Sequence, residues 1–281
     1  MSILFDQKRC VIATKHQKET IMAPILEANL GVQCVVPTTI DTDQLGTFSG
    51  EKPRNGTILE VLRAKCQLGL DASSAEIAIA SEGSFGPHPR IPFMAANQEY
   101  LMLQYKAINL EVVVQTLSTD TNFAAESLKS FSDLEAFCER IHFPSHALIL
   151  RPANDIYTDM YKGIQDEKSL WANYKTIHDK YGKVYVETDM RAHLNPKRQA
   201  VIGQLTQQLV EAVLSSCPHC AHPGFQKTGV IRGLPCAWCG FPTESPLEAV
   251  WQCMACDYQE NKPFHVNKTT EDPMYCSHCN P

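Results

Sequence analysis

The chain has 281 residues, 44% apolar and 20% charged, and its 25 Lys and Arg stand against 31 Asp and Glu for a net charge of −6. That length accommodates one sizeable domain and a small one, and the acidic balance argues against a protein whose main task is gripping nucleic acid by its phosphates. There is no run of about 18 apolar residues, so no membrane span is expected; the first residues lack the basic-then-apolar pattern of a secretion signal, so a cytoplasmic location is expected.

In chain order, residues 9–14 (RCVIAT) read as a short buried strand. A helical pattern follows, with Ile21, Met22, Ile25, Leu26 and Leu30 on one face, stopped by Gly31. Residues 32–37 read as a second strand, 41–56 as a loop rich in Gly and acids, and Ile58, Val61, Leu62 and Leu68 mark a second amphipathic helix. Residues 76–80 (EIAIA) form a third strand leading into the loop-like SEGSFGPHPR. Further on, strands near 99–106 and 110–117 resemble a hairpin, and helices are expected at 122–130 and 132–140, the second capped by Ser132. A strand at 146–151, a helix near 167–179, a strand at 183–187 and a long helix from Asn195-Pro196 to about 215 complete the body. Strands alternating with helices imply an α/β class, a mixed sheet flanked by helices. The expected division is a body over 1–216 and a tail over 217–281.

The tail is set apart by its cysteines. Cys10, Cys34, Cys66 and Cys138 are scattered among apolar neighbours and read as core thiols. The other eight form four CxxC pairs, Cys217/Cys220, Cys236/Cys239, Cys253/Cys256 and Cys276/Cys279, separated by 15, 13 and 19 residues. Each CxxC presents two thiolates to one tetrahedral ion, so eight cysteines suffice for two structural zinc ions. Short loops favour sequential pairing, 217/220 with 236/239 and 253/256 with 276/279; a nested pairing, 236/239 with 253/256 inside 217/220 with 276/279, is the alternative. His219, His222, His265 and His278 are then not needed as ligands. Four basic residues against six acidic ones in this tail argue against nucleic acid and for protein contact.

Polar residues gather where strands end, the usual place for a site in an α/β sheet. The first group is Thr14-Lys15-His16-Gln17-Lys18, at a helix entrance suited to phosphate. The second holds Asp41, Asp43 and Glu51; the third Ser81, Glu82, Ser84, His88 and Arg90; the fourth runs from Glu187 to Arg198. Carboxylates from two such loops suit Mg²⁺, which binds through one or two carboxylates plus substrate phosphates. A serine-hydrolase elbow around Ser84 is excluded, because position 82 is Glu where G-x-S-x-G needs Gly.

The motifs DTDQLGTFSGE, ASEGSFGPHP, FPSHALILRP, ETDMRAHLNPKR and the CPHC…CSHCNP ending resemble a bacterial family described as a domain of unknown function. In motif order, residues 9–198 also resemble the inosine triphosphate pyrophosphatase-like superfamily, which includes the Maf proteins. The carrying elements are Ala13-Thr14-Lys15-His16-Gln17-Lys18, Thr47-Phe48-Ser49-Gly50-Glu51 before a helix with Arg63 and Lys65, Ser81-Glu82-Gly83-Ser84-Phe85-Gly86, Phe143-Pro144-Ser145-His146 and Asn195-Pro196-Lys197-Arg198. The acid after Thr47-Phe48 is displaced by one residue, and the third motif has one acid where two are common. This second resemblance implies Mg-dependent hydrolysis of a nucleoside triphosphate, with Glu51, Glu82 and Asp43 at the metal. Thr14, Lys15, Lys18, Lys65 and Ser84 would face the phosphates, and Arg191, His193 and Arg198 the base or phosphates. The alternative is a non-catalytic protein that binds a nucleotide or phosphorylated ligand and uses its zinc ribbons for protein contacts.

Overall fold

The computed structural model describes residues 4–46 and 56–281, the side chain of Asp43 excepted. Its elements are β1 (Arg9–Ala13), α1 (Glu19–Leu30), β2 (Gln33–Val35), α2 (Ile58–Asp71), β3 (Ile77–His88), β4 (Ile91–Tyr105), β5 (Leu110–Ser118), β6 (Ala125–Leu128), α3 (Phe131–Ile141), β7 (Leu148–Arg151), β8 (Tyr161–Ile164), α4 (Glu167–Tyr181), β9 (Val184–Thr188), α5 (Pro196–Leu214), β10 (Gln226–Arg232), β11 (Pro246–Gln252) and β12 (Gln259–Pro263). They group into two compact units, Met1–Lys106 with Val113–Val210, and Ala107–Val112 with Glu211–Pro281. By this grouping the division falls inside α5, and a short upstream segment joins the tail.

The first unit carries two sheets. In the first, ordered β2-β1-β3-β4-β5, β1 is parallel to β2 and β3, while β3 and β4 are antiparallel. Strand alternation turns Val11, Ala13, Ala78 and Ala80 towards Leu62 and Cys66 of α2, forming one apolar core. A capping box between Thr57 and Glu60 starts α2, and Gly31, at φ 73°, ends α1 in the left-handed region where glycine carries no Cβ penalty. The second sheet, β6-β9-β7-β8, is antiparallel throughout. Leu148 and Leu150 of β7 and Val184 and Val186 of β9 bury one of its faces against Phe137 of α3 and Ile177 of α4. Phe137→Ala there would cost about 3–5 kcal/mol. The opposite face of the same strands carries Ile149, Arg151 and Glu187, which line a cleft.

Four local expectations change. The stretch after EIAIA is not a loop: β3 continues to His88 and pairs with β4 along its length. Residues 125–128 form β6 rather than a helix, because Ala125–Leu128 pair with Val184–Glu187 of β9. Helix α3 is capped by Ser130, whose hydroxyl accepts from the Asp133 N–H, not by Ser132. Strand β8 is new; its four residues are too few for periodicity to reveal.

The second unit is built on the antiparallel sheet β10-β11-β12. No helix among the described residues is long and apolar enough to cross a membrane.

Candidate functional site

Each sheet of the first unit contributes a wall to one cleft of about 380 Å³, within the range of small-molecule sites. Strand β1 stops pairing with β3 at Ala13 and Ala80, so Ser81 and Glu82 continue past its end. The chain leaving β1 then places Thr14, Lys15, His16 and Lys18 beside them, and α2 brings Lys65. Thr42, Gly46 and Ser84 join this side, while Arg151, Lys162, Glu187, Asp189 and Arg191 come from the second sheet and its connections. The first, third and fourth polar groups read from the sequence therefore each send members to one cleft, whereas the second is represented there, among the described residues, by Thr42 and Gly46 and not by Asp41.

Charge within the cleft is organised by pairs. Lys65 Nζ lies 3.2 Å from Glu82 Oε2 and donates to the Ser81 carbonyl at 3.3 Å. Lys18 Nζ is 2.6 Å from Ser81 Oγ and 3.7 Å from Glu99 Oε1. Burial pushes the Lys18 ammonium down to about 7; the Arg198 charge adds to this, and Glu99 opposes it. On the second sheet Arg151 reaches Glu187 at 2.9 Å and lies between the rings of Tyr157 and Tyr185. Burial raises the Glu187 carboxyl against the pull of Arg151. Asp189, fully enclosed, holds Arg191 by a two-pronged contact and accepts from the Gly163 N–H.

Among the expected site residues, Thr14, Lys15, Lys18, Lys65, Glu82, Ser84 and Arg191 line the cleft. Arg198 does not. Its side chain has no solvent exposure and is committed to Glu99 through two hydrogen bonds and to the Met190 carbonyl through a third. That makes it a support behind the cleft wall, not a contact for base or phosphate. His193 also lies off the cleft lining; its ring stacks on that of His16 at 5.7 Å, and burial, then the charge of Arg191, lowers its pKa. Glu51 and the side chain of Asp43 lie outside the described residues. Glu99 was not singled out from the sequence, although an acid within the apolar run of β4 is a legible signal of a buried partner. Arg151 and Lys162 were missed as well, since neither stands in a polar cluster.

In the second unit the cysteines form two groups, Cys217, Cys220, Cys253 and Cys256, and Cys236, Cys239, Cys276 and Cys279, with all Sγ atoms of a group within 4.8 Å of one another. Sulfur separations of 3.6–3.9 Å across knuckles match the edge of a tetrahedron with bonds of about 2.3 Å, roughly 3.8 Å, and exclude disulfides, whose sulfurs lie about 2.05 Å apart. Both groups could hold zinc ions. The pairing is neither sequential nor nested but alternating. The reason is the antiparallel sheet: β10 leaves the first knuckle at one end and the second at the other, about 20 Å apart for seven residues. Strand β11 then returns the chain to the first knuckle, and β12 carries it back. Within knuckles, the N–H groups of His219, Trp238 and Ala255 donate to Cys217, Cys236 and Cys253 Sγ. His222 is no ligand; its ring nitrogens face the carbonyls of Pro223 and Ile108.

Residues 65–281 match the family described as a domain of unknown function, DUF6671. The chain belongs to that family. The DUF6671 match takes in Lys65, Glu82, Glu99, the second sheet and all eight paired cysteines, and begins after the Thr14–Lys18 loop. No curated protein matches the chain.

Proposed function

We propose that the cleft binds a phosphorylated nucleotide and hydrolyses its phosphate chain in a Mg²⁺-dependent reaction. One observation carries this reading: among the described residues, six cationic side chains, Lys15, Lys18, Lys65, Arg151, Lys162 and Arg191, against three carboxylates line one cleft in a chain of net charge −6. Such a local reversal of charge selects a compact polyanion. Phe85 and Phe123, their ring centroids 5.9 Å apart, add an aromatic wall for a base. Lys15 and Lys65 would hold phosphate oxygens, and Arg191, aimed by Asp189, would grip them by its fork. Glu82, with Asp43 and Glu51 by their place in the sequence, would hold Mg²⁺ against the phosphates, where it would offset charge on the reacting oxygens. The test is release of pyrophosphate or phosphate from a panel of standard and deaminated nucleoside triphosphates with Mg²⁺. Activity abolished by Glu82→Gln supports the reading; no release from any member sinks it.

A second reading is binding without catalysis. It is favoured by the pairing of Glu82, Glu187 and Asp189 with Lys65, Arg151 and Arg191, which occupies each of these acids with a cation of the same cleft. The tail would then serve protein contact, for which Trp238 (80% exposed) and Tyr275 (63% exposed) beside the second cysteine group supply apolar surface. Nucleotide affinity without turnover separates this reading from the first.

A further inference from the structure

Ser81 and Lys18 form a pair whose placement asks for more than phosphate binding. Lys18 comes from the loop after β1, Ser81 from the part of β3 that outruns β1, and both side chains border the cleft. Their 2.6 Å contact is buried, with Lys18 only 5% exposed. An ammonium placed solely to hold phosphate gains by pointing into the cavity; here Nζ is spent on a hydroxyl. Around it stand Glu99 of β4 and Arg198 of α5, locked together, and Lys65 of α2 with Glu82 of β3. Glu99 is shared with Arg198, so it does not serve Lys18 alone, and two further cations disfavour a third charge at this point.

We propose that Ser81 is the attacking nucleophile of the cleft and the neutral amine of Lys18 its general base. This rests on the proposed function for the substrate class, a phosphate ester or anhydride, and replaces direct attack by water with attack by a side chain. Neutral Lys18 accepts the hydroxyl proton across the existing contact. The Oγ–P bond forms as the P–O bond to the leaving phosphate breaks, and that oxygen keeps the electron pair. The oxygen of a water then bonds to the phosphorus as the P–Oγ bond breaks; Ser81 recovers its proton from Lys18, and the proton lost by the water passes to solvent with the phosphoryl product. Lys65, 3.3 Å from the Ser81 carbonyl, is close enough to offset charge gathering on the attacked group. The lowering of Lys18 to about 7 fits this role, since a base works best near the operating pH.

The test needs no nucleotide. The full chain with its metal is treated with diisopropyl fluorophosphate, which transfers its phosphoryl group to an activated serine with loss of fluoride, the proton passing to the base. The expected result is one adduct on the peptide containing Ser81, formed at a rate that rises through about pH 7 and then levels. Lys18→Met should slow it about 10²–10⁴-fold, the usual contribution of a positioned base, and Ser81→Ala should remove it. The wild-type pH profile stands even where a variant fails to fold. Absence of an adduct at Ser81, or a rate indifferent to pH across that range, overturns the proposal. Nucleotide hydrolysis that survives Ser81→Ala also overturns it while leaving the proposed function standing. An adduct without turnover of any nucleotide does the reverse.

Discussion

Arg198 of α5 meets Glu99 of β4 through hydrogen bonds of 2.8 and 3.1 Å, and neither side chain has any solvent exposure. Burial alone would favour the neutral acid, but the charges of Arg198 and Lys18 prevail and hold the Glu99 carboxyl below its ordinary value. The pair ties the first sheet to the helix entrance that follows β9, and the Asn195 side chain, accepting from the Arg198 N–H, caps that helix.

Removing one partner strands the other. Glu99→Ala or Arg198→Ala should each cost about 3–5 kcal/mol, whereas Glu99→Leu with Arg198→Met should recover most of the loss. Urea unfolding of the four proteins decides this; a double variant no better than the singles would show that the pair's shape, and not its charge, is what the fold requires.

Gly83 leaves room for this pair. A Cβ there would lie 2.5 Å from Arg198 Nη2 and 2.6 Å from Glu99 Oε2, neither of which can retreat without breaking the bonds above. Gly83→Ala should therefore destabilise by about 1–3 kcal/mol through overpacking. Thermal unfolding beside Gly86→Ala, where a Cβ meets nothing within 4 Å, provides the comparison.

Metal content reports the alternating pairing of the cysteines. The wild-type chain should carry two zinc ions by elemental analysis, and chelation should unfold the second unit. Cys217→Ser with Cys253→Ser should lose one ion, because both belong to one group; Cys217→Ser with Cys236→Ser should lose both. Sequential pairing predicts the opposite result for these two variants.

Lys18 sets a pH dependence of stability. Its pKa falls from 10.5 to about 7 on folding, so the lysine is charged in both states below about 7 and neutral in both above 10.5. Between those values the unfolded chain binds more protons, and this group's contribution to stability rises with pH. Lys18→Met should flatten that rise, read as the change in urea midpoint between pH 7 and pH 9. An unchanged difference would show that Lys18 does not carry it.

Much of this protein was legible from its residues. The tail announced itself because CxxC spacing encodes metal geometry locally, within a turn of chain, and the helices through α5 followed from apolar periodicity and from Pro196 after Asn195. Three of the polar groups at strand ends, around Lys18, Glu82 and Arg191, were legible too, since a βα series places such ends together. What the sequence could not decide is long-range. The partner of each CxxC depends on the direction of β10, β11 and β12, and an antiparallel sheet brings alternate knuckles to the same end whatever the loop lengths. Arg198 read as a ligand contact because its fork suits phosphate; only packing shows that Glu99, 99 positions away, claims it first. Residues 81–90 read as a loop because Gly83, Gly86 and Pro87 weaken strand propensity, a local preference overridden by the full pairing of β3 with β4. The net charge of −6 belongs to the whole chain, and tertiary structure alone concentrates six cations of the described residues in one cleft, because proximity in space, not order along the chain, sets the field that a ligand meets.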